Sequence, residues 1–345
     1  MGLKLFTRKA KTRKSPRGAA GSAAGPAASL HGRLYHDYQS APREEWNDEP
    51  LARMYQQGRL GTILRDETKW RDQPSGADIV EKAANALEQR MAFVPAGNVA
   101  IAQSLTDHAN ALEEEIDVAP FLVDVHAVTN ERFQRFVDAE GYDELEFWPE
   151  DIWPHLIEFK DLTGEPAPRF WREGRHDHRL GDHPVVGVSW FEAQAYALWI
   201  GQRLLTDAEW QMTASWHIKS SADIFRRFPW GDAMDNTRCN IWSARHGHTV
   251  PVAEYDNGAA PNRVMQLIGN VWEWTETEYT VIDEAGRPIV GEMPMHAVRG
   301  GAFDTYFEAQ TTSQFRTGQI AFARAHNTGF RCAMDIDAAT WMSSD

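Results

Sequence analysis

His176, Asp177, His178 and His183 crowd imidazole and carboxylate groups into one short stretch. Such donors suit iron or zinc. A polar loop would gather the same residue types, and His183 runs straight into Pro184-Val185. His246 and His248 flank Gly247 and pose the same choice between metal and loop. His31 and His36, five positions apart, do not share a helical face. The two cysteines, Cys239 and Cys332, are too few for a disulfide framework or a zinc cluster. Each reads as a small buried residue rather than a ligand.

The elements that must hold these groups are legible in patches. With 345 residues, 42% of them hydrophobic, the chain can fill the core of one large domain or two small ones. Residues 1–30 form a basic, Ala/Gly-rich tail with little to bury, which predicts disorder. Seven Lys and Arg fall in residues 1–17 without one acid, whereas the whole chain carries −15. The body is therefore strongly acidic, which excludes nucleic acid as a partner. No apolar run is long enough to span a bilayer and no secretory signal follows the basic start, so a cytoplasmic protein is expected. Residues 31–92 read as a helical arm, with Leu51, Met54 and Tyr55, then Ile79, Ala83, Ala86 and Leu87, at helical spacing and a break at 72–76. Strand signals start at Phe93 and recur over 121–125. Thr129 opens a helix that Gly141 should close. Ser189 with Glu192, and Thr206 with Glu209, fit capping boxes. The first of these helices should turn Phe191, Ala195, Leu198 and Trp199 to one face and stop at Gly201. Beyond Trp216, short apolar stretches alternate with Gly, Asn, Asp and Pro. Fourteen tryptophans require indole N–H partners wherever they are buried.

Six blocks then occur in order. Residues 184–190 read PVVGVSW, 203–210 RLLTDAEW, 228–232 FPWGD, 269–274 GNVWEW, 299–301 RGG and 329–332 GFRC. In this series the chain resembles the sulfatase-modifying-factor family, which holds the formylglycine-generating enzymes. It also resembles the ergothioneine-type sulfoxide synthases in Tyr142, Phe147-Trp148, Trp153, residues 168–171 (PRFW) and the span from Arg299 to Arg316. The resemblance covers residues 93–337 and leaves 338–345 as a tail. It implies an α+β architecture, a variant of the C-type lectin fold with few short helices, irregular β-structure and many loops.

The resemblance also sets expectations for the site. Formylglycine-generating enzymes hold copper on two cysteines after the Gly pair; here Thr305 and Gln310 stand at those places. A hydroxyl and an amide cannot replace thiolates on Cu(I). The sulfoxide synthases bind iron through histidines of a separate helical bundle, so no transition metal is assigned here. A structural calcium is implied at Ile268, Gly269, Val271 and Glu273. The groove is expected beside the loop after Gly301, lined by Asp304, Thr305 and Gln310. Tyr306 or His326 would shuttle a proton and Arg316 would grip a carboxylate. The implied function is that of a non-haem-metal oxidoreductase or tailoring enzyme acting on a small molecule or peptide, not a formylglycine-generating enzyme. The alternative is a non-catalytic binding module that uses the loop after Gly301, with a protein partner allowed.

Overall fold

A computed structural model describes residues 38–102, 113–216, 226–282, 287–289, 291 and 293–336. The expected tails at 1–30 and 338–345, with His31 and His36, lie outside the described residues. In chain order the helices are α1 (Pro50–Gln57), α2 (Leu60–Arg65), α3 (Glu67–Trp70), α4 (Gly76–Arg90), α5 (Asn130–Asp138), α6 (Trp190–Trp199) and α7 (Asp207–Ser215). The strands are β1 (Met91–Val94), β2 (Gly97–Ala102), β3 (Glu113–Val118), β4 (Phe121–Asp124), β5 (Arg203–Leu204), β6 (Trp272–Glu278), β7 (Val281–Ile282), β8 (Pro288–Ile289), β9 (Met295–Arg299), β10 (Arg316–Ile320), β11 (Thr328–Phe330) and β12 (Cys332–Asp335).

One sheet runs β1-β4-β12-β5 and joins both ends of the domain, with Val123 facing Ala92 on one side and Ala333 on the other. The second runs β10-β9-β6-β11; its β6–β11 pair is parallel and sets Phe330 beside Trp274. β2 and β3 form a separate ribbon, as do β7 and β8. The largest core cluster is aromatic. Phe133 stacks on Tyr196 at 5.2 Å, and Phe136 meets Trp199 edge to face at 5.5 Å. Several buried indoles find partners, as where Trp190 Nε1 donates to Thr275 O at 2.8 Å and Trp171 Nε1 to Asn130 Oδ1 at 3.1 Å, whereas Trp70 and Trp199 Nε1 have none among the described residues.

The arm belongs to the same body. Leu51, Ile63, Leu64, Val80, Ala83 and Leu87 share a core with Met91, Leu122 and Met334 of the first sheet. Its docking point is a backbone contact. A Cβ at Gly201 would lie 2.1 Å from Thr62 N, and Thr62 N–H donates to Ile200 O at 3.2 Å.

Both capping boxes form, each with the hydroxyl accepting from the third residue and the Glu carboxylate accepting from the cap N–H. Two local expectations need correction. The residue that reverses the chain after α5 is Glu140, at φ 59°, not Gly141. Glycine is required at 141 for space, since a Cβ there would meet the Phe136 ring at 2.1 Å. On α6, Leu198 is exposed while Phe191, Ala195 and Trp199 are buried. That helix is buried on most of its circumference, so the apolar spacing marked no single face.

Candidate functional site

The loop after Gly301 is built by backbone proximity. Gly300, at φ 93°, lies where a Cβ would sit 2.5 Å from Leu267 O, and Gly269 N–H donates to Gly300 O at 2.9 Å. The paired glycines thereby lay β9's exit against the 267–270 segment. Phe303 N–H then donates to Asn270 O at 3.1 Å. Thr305 closes the turn, its Oγ1 accepting from Ala302 N–H at 2.8 Å, and is buried. Gln310 lies within a short 3-10 turn, Glu308–Thr311, its N–H donating to Phe307 O at 3.0 Å.

Asp304 and His326, far apart in sequence, meet in space. His326 Nε2 lies 3.3 Å from Asp304 Oδ2, and both side chains are partly exposed. Asn327 Nδ2 donates to both Asp304 oxygens, at 3.0 and 3.2 Å. Phe303 packs edge to face on the imidazole at 5.8 Å. The strand of chain carrying His326 is anchored on both sides. Gly187 N–H donates to Ala325 O, and Trp272 N–H donates to Asn327 O, each at 2.8 Å. Arg324 donates to Glu192 Oε1 at 2.8 Å, so the α6 capping carboxylate also fixes this segment. Beside the dyad, Tyr306 is exposed between Trp242 and Phe307, both exposed, with centroids 6.1 and 5.3 Å away.

Arg316 is placed elsewhere. Its Nη1 donates to Asp207 Oδ2 at 2.9 Å, and it lines a cavity of about 540 Å³ with Asp207, to which none of the other expected groove residues contributes. Register explains Asp207. Arg316 lies directly opposite Arg299 on the neighbouring strand, a like-charge pair that is destabilising by itself. Asp207, at the start of α7, bonds both guanidiniums. Burial pushes the Asp207 carboxyl up, but Arg299 and Arg316 outweigh it and hold it below the usual carboxylate range. Sequence reasoning missed Asp207, Asn327 and Trp242 as partners of the candidate residues. Only Asn327 carried a signal, its adjacency to His326.

The donor sets exclude some chemistries. Burial pushes the Cys239 thiol up to about 12 and Cys332 well above its ordinary value. Thiols held neutral and buried do not act as copper ligands. His176 Nδ1–H donates to Asp177 O at 2.8 Å, His178 Nδ1 faces Gln39 O and His183 Nδ1 faces Thr249 Oγ1. Burial lowers His176 and His183, which keeps them neutral. His246 faces Tyr255 Oη at 3.0 Å. Among the described residues no group of three or more His, Cys, Asp or Glu side chains is placed to hold a metal ion.

The calcium residues have their own geometry. Glu273 is 1% exposed, and its Oε1 accepts from Arg331 Nη2 at 2.6 Å. Its Oε2 accepts from Arg331 Nε and Trp210 Nε1, both at 2.8 Å. Gly269 O already accepts from Val271 N–H at 2.9 Å. Calcium needs six to eight oxygen ligands. As arranged, Ile268, Gly269, Val271 and Glu273 do not fit a dication, because a guanidinium already neutralises their one carboxylate.

The profile described as "Sulfatase-modifying factor enzyme 1-like domain" matches residues 76–336, which takes in the last arm helix, α4. A hercynine oxygenase of Mycolicibacterium smegmatis is 32% identical over 236 residues, covering 65% of this chain and 52% of that protein. A formylglycine-generating enzyme of Streptomyces coelicolor is 32% identical over 270 residues, covering 67% of this chain and 83% of that protein. Thus the chain spans about half the length of the hercynine oxygenases it matches. The solved structure of PvdO from Pseudomonas aeruginosa superimposes with a TM-score of 0.50 at 19% identity, over 71% of this chain and 94% of that one, a likeness of fold alone. Among the described residues no helix is long and apolar enough to cross a membrane. The block order, the α+β fold with its two irregular sheets and the profile match agree: the chain belongs to the sulfatase-modifying-factor family, on the formylglycine-generating-enzyme variant of the C-type lectin fold.

Proposed function

We propose that this protein is an oxidative tailoring enzyme acting on a small molecule or peptide at the loop after Gly301, and that it does not make formylglycine. The observation that carries the reading is the Asp304–His326 dyad, 3.3 Å apart, oriented by Asn327 and open at the surface. A carboxylate that accepts from imidazole Nε2–H fixes the tautomer in which Nδ1 is a base. His326 would then take a proton from bound substrate, with Asp304 stabilising the imidazolium. Trp242, Tyr306 and Phe307 supply apolar faces on which a flat or cationic group can rest. The hercynine oxygenases among its relatives support the oxidative class and suggest a histidine-derived substrate. Among the described residues no donor set places a redox centre.

The test supplies the full chain with ferrous iron, oxygen, hercynine and a thiol, and in parallel with copper and a Cys-x-Pro-x-Arg peptide, then weighs the products. A tailored histidine derivative is expected, with the rate falling about 10²-fold or more in His326→Ala. Formylglycine in the peptide, or an unchanged rate in His326→Ala, would overturn the proposal. The three exposed aromatics also favour a second reading, a binding module. It predicts ligand binding that His326→Ala leaves intact and no product in any assay.

A further inference from the structure

We infer that the 540 Å³ cavity between the β2–β3 ribbon, the start of α7 and the end of β6 is a binding site for a zwitterion, with a carboxylate at its floor and an ammonium at its rim. The cavity is separate from the loop after Gly301. Its floor holds one carboxylate, Asp207, between two guanidiniums, those of Arg299 and Arg316. Arg299 is fully buried and donates to the backbone oxygens of Ser313, Gln314 and Phe315 as well. Arg316 is different: among the described residues only its Nη1 is hydrogen-bonded, while the guanidinium lies over the Tyr279 ring at 5.5 Å and the residue lines the cavity. Two cations against one anion leave a surplus positive charge at the floor. Thr277 Oγ1 accepts from Asp207 N–H at 2.9 Å and fixes the acid's position from β6.

The rim has the opposite sign. Asp117 of β3 and Glu278 of β6 line the cavity and are exposed. Glu209, deeper in, is already held by a two-point contact with Arg203 at 2.7 Å and adds no free charge. A simple anion would be drawn to Arg316 but repelled at the mouth. A simple cation would be held at the mouth but repelled from the floor. A molecule carrying both charges along its length satisfies both, and a two-point guanidinium–carboxylate contact at Arg316 adds orientation. The volume is that of an ordinary small-molecule site. The ligand class is therefore an amino acid, a short peptide or a betaine bearing a free carboxylate.

Calorimetric titration of the full chain at low salt with 6-aminohexanoate, hexanoate and hexylammonium tests this. 6-Aminohexanoate should bind about tenfold more tightly than either single-charge probe. The advantage should shrink at about 1 M salt, where screening acts over roughly 3 Å. Glu278→Gln, an exposed change, should lower 6-aminohexanoate affinity severalfold and raise that of hexanoate. Arg316→Gln should abolish binding of both carboxylates; because it strips Asp207 of one partner, Arg316→Lys serves as the folded control with weakened binding. His326→Ala should bind 6-aminohexanoate as the wild type does, which separates this site from the tailoring loop. Equal affinity for the three probes, no binding at millimolar concentration, or indifference to Glu278→Gln would overturn the inference.

Discussion

Asp207 shows how one side chain can be both structural and electrostatic. It is buried between Arg299 and Arg316, and removing one partner of a buried pair costs about 3–5 kcal/mol. Asp207→Asn is expected to destabilise the fold by that order in urea melts near neutral pH. Its pH dependence has a definite sign. The folded carboxyl titrates below its unfolded value, so the stabilisation is complete above the unfolded carboxylate range. It is lost as pH falls through the folded value, and Asp207→Asn should flatten that acid limb; an unchanged limb would refute the assignment. The cysteines give a second residue-level expectation. Cys239 and Cys332 are buried with raised thiol pKa values, so a disulfide-exchange reagent should count no reactive thiol in native protein and two after denaturation. A fast-reacting native thiol would contradict the burial described here.

At the scale of elements, the helix starts do more than cap. In the α6 box, Glu192 accepts from Ser189 N–H at 2.7 Å, from Tyr142 Oη–H at 2.6 Å and from Arg324 at 2.8 Å. A local helix signal therefore ties down the segment that presents His326. Ser189→Ala should cost about 1 kcal/mol, the usual value of a lost N-cap. Gly201→Ala should cost more, beyond about 1 kcal/mol, because the residue has φ 76° and its new methyl would press on the Thr62 backbone. Its signature would be early proteolysis of the arm. If Gly201→Ala melted no earlier than Ser189→Ala, the close helix–arm contact would be wrong.

At the scale of the molecule, Arg331 links the sheets. It lies between β11 and β12, donates to Asp124 O and Val125 O beside β4, and grips Glu273 of β6. A guanidinium does here what a bound cation would do, neutralising Glu273 while crosslinking segments remote in sequence. Calcium added to chelator-treated protein is thus expected to leave the melting temperature unchanged. Glu273→Gln should destabilise by about 3 kcal/mol or more with or without calcium, as a broken buried pair does. A calcium-dependent rise in the wild type that Glu273→Gln removes would restore the metal site that the resemblance implies.

The helix caps were readable in the sequence because each is a bond between residues three apart, and both boxes formed as their spacing implied. Family membership was readable because six blocks in fixed order are hard to match by chance. The missing cysteine pair was readable as residue identity alone. Gly141 and Leu198 were misjudged because their roles depend on what packs against them: the Phe136 ring in one case and solvent beside an otherwise buried helix in the other. The site was only half legible. Asp304 and His326 could each be named, but their contact needs the Gly300 turn laid on Leu267 and the parallel β6–β11 pairing that sets Asn327 against Trp272. Arg316 could be named as a charge, yet its partner Asp207 lies 109 positions earlier on another element. Short-range hydrogen bonds are fixed by spacing, whereas the pairing of charges across strands is fixed by register, which only the folded sheets decide.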